Sequence, residues 1–132
     1  MRIVVSAEGE GPDAPVDPRF GRCSHLTVVD IDTMEFRTVP NSGAMASGGA
    51  GIRTSQEVAA MGVDAVVTGS VGPNAFETLS RAGIRVLTGA RGTVREAVEM
   101  FRRGQLEEAT TPNAGGHAGL GRGMGLGRRG GR

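Results

Sequence analysis

A thiol and an imidazole stand two residues apart at Cys23 and His25. Two residues apart on a strand means one shared face, and a thiolate beside an imidazole is the pairing of a cysteine nucleophile. The spacing supplies no Asn or Asp to orient the imidazole, so hydrolytic chemistry is not expected. The carboxylates Asp30 and Asp32 also share a face, and Asp13 and Asp17 fall in a loop; they read as solvated strand and loop residues.

Three glycine-rich bends carry a stronger chemical signal: Ser47-Gly48-Gly49-Ala50-Gly51, Thr68-Gly69-Ser70-Val71-Gly72 and Thr88-Gly89-Ala90-Arg91-Gly92. Each opens a predicted helix. The free N–H groups and the positive end of a helix dipole receive anions, and glycine lets a ligand approach the backbone. Any one of these bends also suits a tight turn with no ligand. The spacing G-x-G-x-x-G is absent at Gly48 to Gly51, and a P-loop requires a lysine that this chain lacks, so a nucleotide enzyme is not expected.

The elements that must hold these bends follow from the apolar pattern. Ile3-Val4-Val5 is a short buried strand, and Leu26 to Ile31 with Met34 to Val39 read as a hairpin turning at Asp32-Thr33. Strand and helix then alternate. Ile52, Ser55, Val58/Ala59 and Gly62 mark one face of a helix over about 51–61, Ala65-Val66-Val67 is a strand, and Pro73 opens a helix with Phe76, Leu79 and Ala82 on one stripe. Ile84 to Leu87 is the next strand. Thr93 and Glu96 form a capping box before Val94, Ala97, Val98 and Phe101, whose spacing is that of one helix face. The two β-α units share a plan of Gly, apolar strand and Thr-Gly. Parallel strands with right-handed crossovers would put all three bends on one edge of the sheet, where open α/β sheets bind ligands.

With 132 residues the chain is long enough for one domain and too short for two separately cored ones. It has 23 glycines, four Phe, no Trp and no Tyr, and Arg accounts for all 15 basic side chains, so the core must be Val, Ile, Leu, Ala and Met. The segment from Asn113 onward holds nine of the glycines, four Arg and no acid. We therefore expect a folded domain over 1–110 and a disordered Gly/Arg-rich tail over 111–132. One Cys excludes an intramolecular disulfide framework. With no signal-like or membrane-spanning run, the expected location is cytoplasmic. The near-neutral ordered part gives no reason to expect nucleic acid.

Taken together, Asp17-Pro18-Arg19-Phe20-Gly21-Arg22-Cys23, Gly49-Ala50-Gly51-Ile52-Arg53-Thr54-Ser55-Gln56, Val63-Asp64-Ala65-Val66-Val67-Thr68-Gly69-Ser70-Val71-Gly72-Pro73-Asn74-Ala75-Phe76 and Gly92-Thr93-Val94-Arg95-Glu96-Ala97 carry a resemblance. The chain resembles the dinitrogenase iron-molybdenum cofactor biosynthesis family over roughly residues 1–108. The resemblance implies an α/β fold with a ribonuclease H-like motif: a mixed five-stranded sheet of N-terminal strand, hairpin and then αβαβα, with helices on its faces. It implies a cytoplasmic, nitrogen fixation-related, non-enzymatic carrier of a preformed anionic metal-sulfur cluster, iron-molybdenum or similar and transiently held. Its partners would be metallocluster assembly or acceptor proteins, with no membrane, and the protein would be a monomer or homodimer. The alternative is a regulatory or protein-interaction module that binds a simple oxyanion or a partner protein without metal. A ribonuclease H-like nuclease would need several inward acids for two divalent ions, and the chain offers Ser6 and Thr68 at two such strand ends.

On this resemblance the cofactor-binding residues are Arg19, Phe20, Gly21, Arg22, Gly48, Gly49, Gly51, Gly69, Gly72, Asn74, Gly89, Arg91 and Gly92, with Arg53 a further guanidinium candidate. Many relatives have His before Phe-Gly-Arg, where this chain has Arg19; Cys23 and His25 could supply the metal ligand instead. A protein-built iron-sulfur cluster takes about four thiolates, so one Cys suits a carrier of finished cargo rather than its builder.

Overall fold

The computed structural model describes residues 1–45 and 49–111. Residues 112–132 of the expected tail, and Gly48, lie outside the described residues.

The strands are β1 (Arg2–Ala7), β2 (His25–Asp30), β3 (Glu35–Pro40), β4 (Ala65–Val67), β5 (Arg85–Thr88) and β6 (Glu107–Glu108); the helices are α1 (Ala50–Ala60), α2 (Pro73–Arg81) and α3 (Val94–Arg102). They form one mixed sheet in the order β3-β2-β1-β4-β5-β6. β1 pairs parallel with β4 and antiparallel with β2, and β4 pairs parallel with β5. Where β1 and β4 pair, Ile3 to Val5 against Ala65 to Val67, every residue is apolar and buried, as strands covered on both faces must be.

Side chains alternate between two cores. Ile3, Val5, Val29, Val67 and Leu87 pack with Val94, Ala97 and Val98 of α3. Val4, Leu26, Val66 and Val86 pack with Val58 of α1 and with Ala75 and Leu79 of α2. Helices α1 and α2 therefore cover one face and α3 the other. No helix among the described residues is long and apolar enough to cross a membrane.

The sheet has six strands where five were expected. After α3 stops at Gly104 (φ 69°), Glu107 and Glu108 pair antiparallel with Thr88 and Leu87. Arg85 clamps the Glu108 carboxylate through Nε at 3.2 Å and Nη2 at 3.0 Å. Two exposed glutamates carry no apolar alternation, so this edge strand is invisible to pattern.

The core face of α1 also differs from expectation. Ala50, Thr54, Ser55 and Val58 are buried, while Ile52 is half-buried. Two of the four are hydroxyl residues. Their burial is tolerated because each is bonded: Ser55 Oγ donates to the Gly51 carbonyl at 2.6 Å, and Thr54 Oγ1 accepts from Asn41 Nδ2 at 3.0 Å.

Candidate functional site: an anion-receptive cleft

The strand order reverses between β1 and β4, the usual position of a ligand crevice in such sheets. Here the chain fills that position itself. An added Cβ on Gly69 would lie 2.7 Å from Pro18 Cα, so bare backbone meets Pro18 there. Ser70 N–H donates to the Pro18 carbonyl at 2.7 Å, and Phe20 N–H donates to the Ser70 carbonyl at 3.3 Å. Beneath them Ser6 Oγ and Thr68 Oγ1 are 2.7 Å apart, and Ser6 Oγ also donates to the Asp17 carbonyl at 2.7 Å. The two strand-end hydroxyls are thus partners of one another and of the loop.

The segment beyond this plug forms a 3₁₀ turn, Phe20–Arg22. Phe20 is buried in the α1/α2 core and anchors the turn. Burying such a ring contributes roughly 2–3 kcal/mol, set against roughly 1–2 kcal/mol of backbone entropy per ordered residue, so the turn's hydrogen bonds are needed as well. The anchored turn presses Gly21 against α1 and carries Arg22 to the surface.

There a cleft of about 270 Å³ opens, lined by Gly21, Arg22, the first turn of α1 from Gly49 to Ile52, and Gly72 to Ala75 at the start of α2. Neither helix has a side-chain cap. The N–H groups of Ala50, Gly51 and Ile52, and those of Asn74 and Ala75, have no intrahelical acceptor, and Pro73 has no N–H. Both helix dipoles add positive potential. Among the described residues Arg22 is exposed and in no ion pair, and no acidic residue lines the cleft. The glycines divide the work. Gly21 lets the turn's backbone meet that of Gly51, Gly51 makes room for the Ala75 methyl, and an added Cβ on Gly49 or Gly72 would meet nothing within 4 Å.

The third bend does not join the other two, contrary to expectation. Because α3 lies on the opposite face, Gly89 and Arg91 line a separate open cleft of about 560 Å³ with Thr88, Met100, Gln105 and Glu107. Gly92 abuts the Glu96 carboxylate. The first-turn N–H groups of α3 already have acceptors. Thr93 Oγ1 accepts from Glu96 N–H at 3.1 Å, Glu96 Oε1 from Thr93 N–H at 2.8 Å, and the carbonyls of Ala14 and Pro12 from Val94 and Arg95 N–H.

Other expected residues are placed as follows. Arg19 is exposed beside the cleft, its Nε 3.8 Å from Asp17 Oδ1. Arg53 is exposed on α1 and outside the cleft lining. Cys23 and His25 do not share a face. Cys23 precedes β2 and packs in the α1/α2 core, whereas His25 alternates with Leu26 and pairs with Ala7, on the α3 side. Cys23 is 0% exposed. Burial pushes its thiol up to about 12, the Asp17 carboxylate adds to the rise, and hydrogen bonds from Asn41 and the Ala7 backbone oppose it. His25 Nδ1 is 2.8 Å from Ser24 Oγ. No group of three or more His, Cys, Asp or Glu side chains among the described residues could hold a metal ion. Asp30 Oδ1 accepts from the N–H groups of Asp32 and Thr33 and so builds the hairpin turn, and Asp32 accepts from the Met1 ammonium.

Asn41 was missed by sequence reasoning. It is 5% exposed and ties Cys23, Gly43 and Thr54 together behind the cleft. Its sequence signal is that of a turn residue ending a strand, a role Asn commonly plays.

A mixed α/β sheet covered on both faces, with an N–H-lined cleft beside its strand-order reversal, defines a small α/β domain; among the described residues that cleft has no acidic side chain, nucleophile or metal cluster. The chain belongs to the dinitrogenase iron-molybdenum cofactor family, whose model matches residues 1–104. It is similar to the apo form of the orange protein from Desulfovibrio gigas: 46% identical, TM-score 0.82, covering 86% of this chain and 96% of that one. It is also similar to a Thermotoga protein described as a candidate NifB protein, at 35% identity and TM-score 0.76 over 87% of this chain and 98% of that one. An uncharacterized Methanocaldococcus jannaschii protein is 28% identical over 96 residues, 70% of this chain and 81% of its own length.

Proposed function

We propose that this protein is a non-enzymatic carrier that receives a preformed anionic metal-sulfur cluster, of iron-molybdenum or related type, in the cleft between Arg22 and the starts of α1 and α2, and passes it to a metallocluster assembly or acceptor protein. The observation that carries the reading is the contrast among the three helices. The one outside the cleft is capped by its own side chains, and the two that open into it are not. Family membership and the likeness to the orange protein and to a NifB-type protein support cofactor or cluster binding as the setting.

The donor set suits cargo that brings its own sulfides. Backbone N–H groups and a guanidinium hydrogen-bond sulfide or oxo atoms without displacing a metal's ligands. A single buried, protonated Cys cannot assemble a cluster; Cys23 enters only as a ligand that a rearranged turn would expose, and His25 stands on the α3 side of β2, away from the cleft. The ribonuclease H-like classification belongs to the same proposal, supported by the order β3-β2-β1-β4-β5 with β2 antiparallel to β1.

Protein handled without air and mixed with tetrathiomolybdate, a compact metal-sulfur dianion, should co-elute with its visible absorption after gel filtration. Complete loss of colour at protein well above micromolar concentration contradicts the carrier reading. The same donors, backbone N–H groups and one guanidinium, also suit a second reading, in which the cleft serves a regulatory or protein-interaction module and takes a simple oxyanion without metal. That reading predicts that molybdate and sulfate compete as well as the thio-anion does.

A further inference from the structure

We infer that Asn41 is a positioning residue for the cleft and acts through Arg22; the inference rests on the reading of the cleft as an anion receptor. Asn41 follows β3 and is buried against the 3₁₀ turn. Its Nδ2 donates to the Cys23 carbonyl at 2.8 Å and to Thr54 Oγ1 at 3.0 Å, while its Oδ1 accepts from Gly43 N–H at 3.1 Å. Thr54 Oγ1 stands 3.2 Å from Asn41 Oδ1 and 3.4 Å from the Gly21 carbonyl, two acceptors for its one proton. Gly21 and Cys23 are the residues on either side of Arg22. The Asn41 amide thus holds the backbone after Arg22, and the Thr54 hydroxyl shares its proton between that amide and the backbone before Arg22. Arg22 is the charged side chain of the cleft among the described residues.

The surroundings are fitted to this grip. An added Cβ on Gly43 would lie 2.9 Å from both Thr54 N and Thr54 Oγ1, so Gly43 is bare where Thr54 approaches the hub. A fully satisfied buried polar network fixes one geometry, and a partly satisfied one is costly. The consequence for binding is entropic. An arginine on a loose turn gives up backbone and rotamer freedom when it meets an anion; on a fixed turn it gives up only the rotamer share. Asn41 does not line the cleft, and its hydrogen bonds go to residues outside the lining, so an effect on affinity is routed through the turn.

The test is a double-mutant cycle with tetrathiomolybdate as probe, titrated into wild type, Arg22→Ala, Asn41→Ala and the double variant, with backbone ¹⁵N relaxation on the free proteins. Arg22→Ala should weaken binding about tenfold, as loss of a charge-assisted donor does. Asn41→Ala should weaken it about fivefold alone but less than about twofold in the Arg22→Ala background, because the shared route is already lost. Thr54→Val should follow Asn41→Ala, and Thr54→Ser, which keeps the hydroxyl, should follow wild type; this pair decides the matter if Asn41→Ala fails to fold. In the free variant, amide mobility should rise at Gly21 to Cys23 and not in β1 or β4. An equal loss in both backgrounds overturns the positioning role in favour of general destabilisation, and unchanged affinity and mobility overturn it outright. Failure of wild type to bind, or Arg22→Ala binding as wild type, sinks the cleft reading instead; unchanged mobility at Gly21 to Cys23 in Asn41→Ala then sinks the positioning role separately.

Discussion

A methyl group on Gly21 would stand 2.9 Å from the Cα of Gly51, so the 3₁₀ turn and the first turn of α1 meet through bare backbone. No flexible side chain end is available there to move aside. Gly21→Ala should destabilise the protein by about 1–3 kcal/mol, the usual cost of forcing extra volume into close packing. Urea unfolding gives the measurement, and a midpoint equal to wild type would show that the two turns can separate freely.

Gly72 supports a prediction with two opposite signs. As the N-cap residue of α2 its φ of −82° and ψ of 174° suit Asp or Ser, and nothing lies within 4 Å of an added Cβ. Gly72→Asp should stabilise the fold by on the order of 0.5 kcal/mol, because its carboxylate accepts the free N–H groups and complements the dipole. The same carboxylate occupies and repels where an anion would sit, so tetrathiomolybdate affinity should fall about tenfold or more. Thermal melting and titration on one sample check both halves.

The capped helix provides the control. Thr93 and Glu96 satisfy each other's backbone at the start of α3, on the far face of the sheet from the cleft. Thr93→Ala should cost about 1 kcal/mol of stability. Anion affinity should stay within twofold of wild type, and a larger loss would mean that the third bend belongs to the site after all.

Cys23 makes stability depend on alkaline pH. Its folded thiol titrates at about 12, against about 8.5 in an unfolded chain, so the folded state holds the proton more tightly. The stabilisation is present in full below the unfolded value and is lost as pH rises toward the folded one. With no Lys and no Tyr in the chain, few other side chains titrate in that window. The Met1 ammonium, raised by its bond to Asp32, contributes a loss of the same sign. Denaturant unfolding from pH 8 to 11 should show a decline that flattens in Cys23→Ala, and parallel declines in the two proteins would contradict this account.

Much of the architecture was legible because its signals are periodic or stereochemical. The apolar runs at Ile3 to Val5 and Ala65 to Val67, the Pro73 start and the Thr93 to Glu96 capping box each have one local physical cause. The losses were of another kind. Whether Gly89 to Gly92 faces the same side as Gly49 and Gly72 depends on which face α3 covers, and that is decided by Val94, Ala97 and Val98 packing against the opposite core. Cys23 parted from His25 because the strand begins only at His25, leaving Cys23 to turn into the core. Thr54 and Asn41 were hidden by their polarity, since hydropathy cannot tell a buried bonded hydroxyl from a solvated one.

The central claim, that an anion is received by the open helix starts around Arg22, is tested most directly by following backbone amide resonances during a tetrathiomolybdate titration. The expected result is saturable downfield movement of the Ala50, Gly51, Ile52, Asn74 and Ala75 amides, with those of Gly89 to Gly92 unmoved. Movement concentrated at Gly89 to Gly92, or drift across the surface without saturation, would contradict the claim.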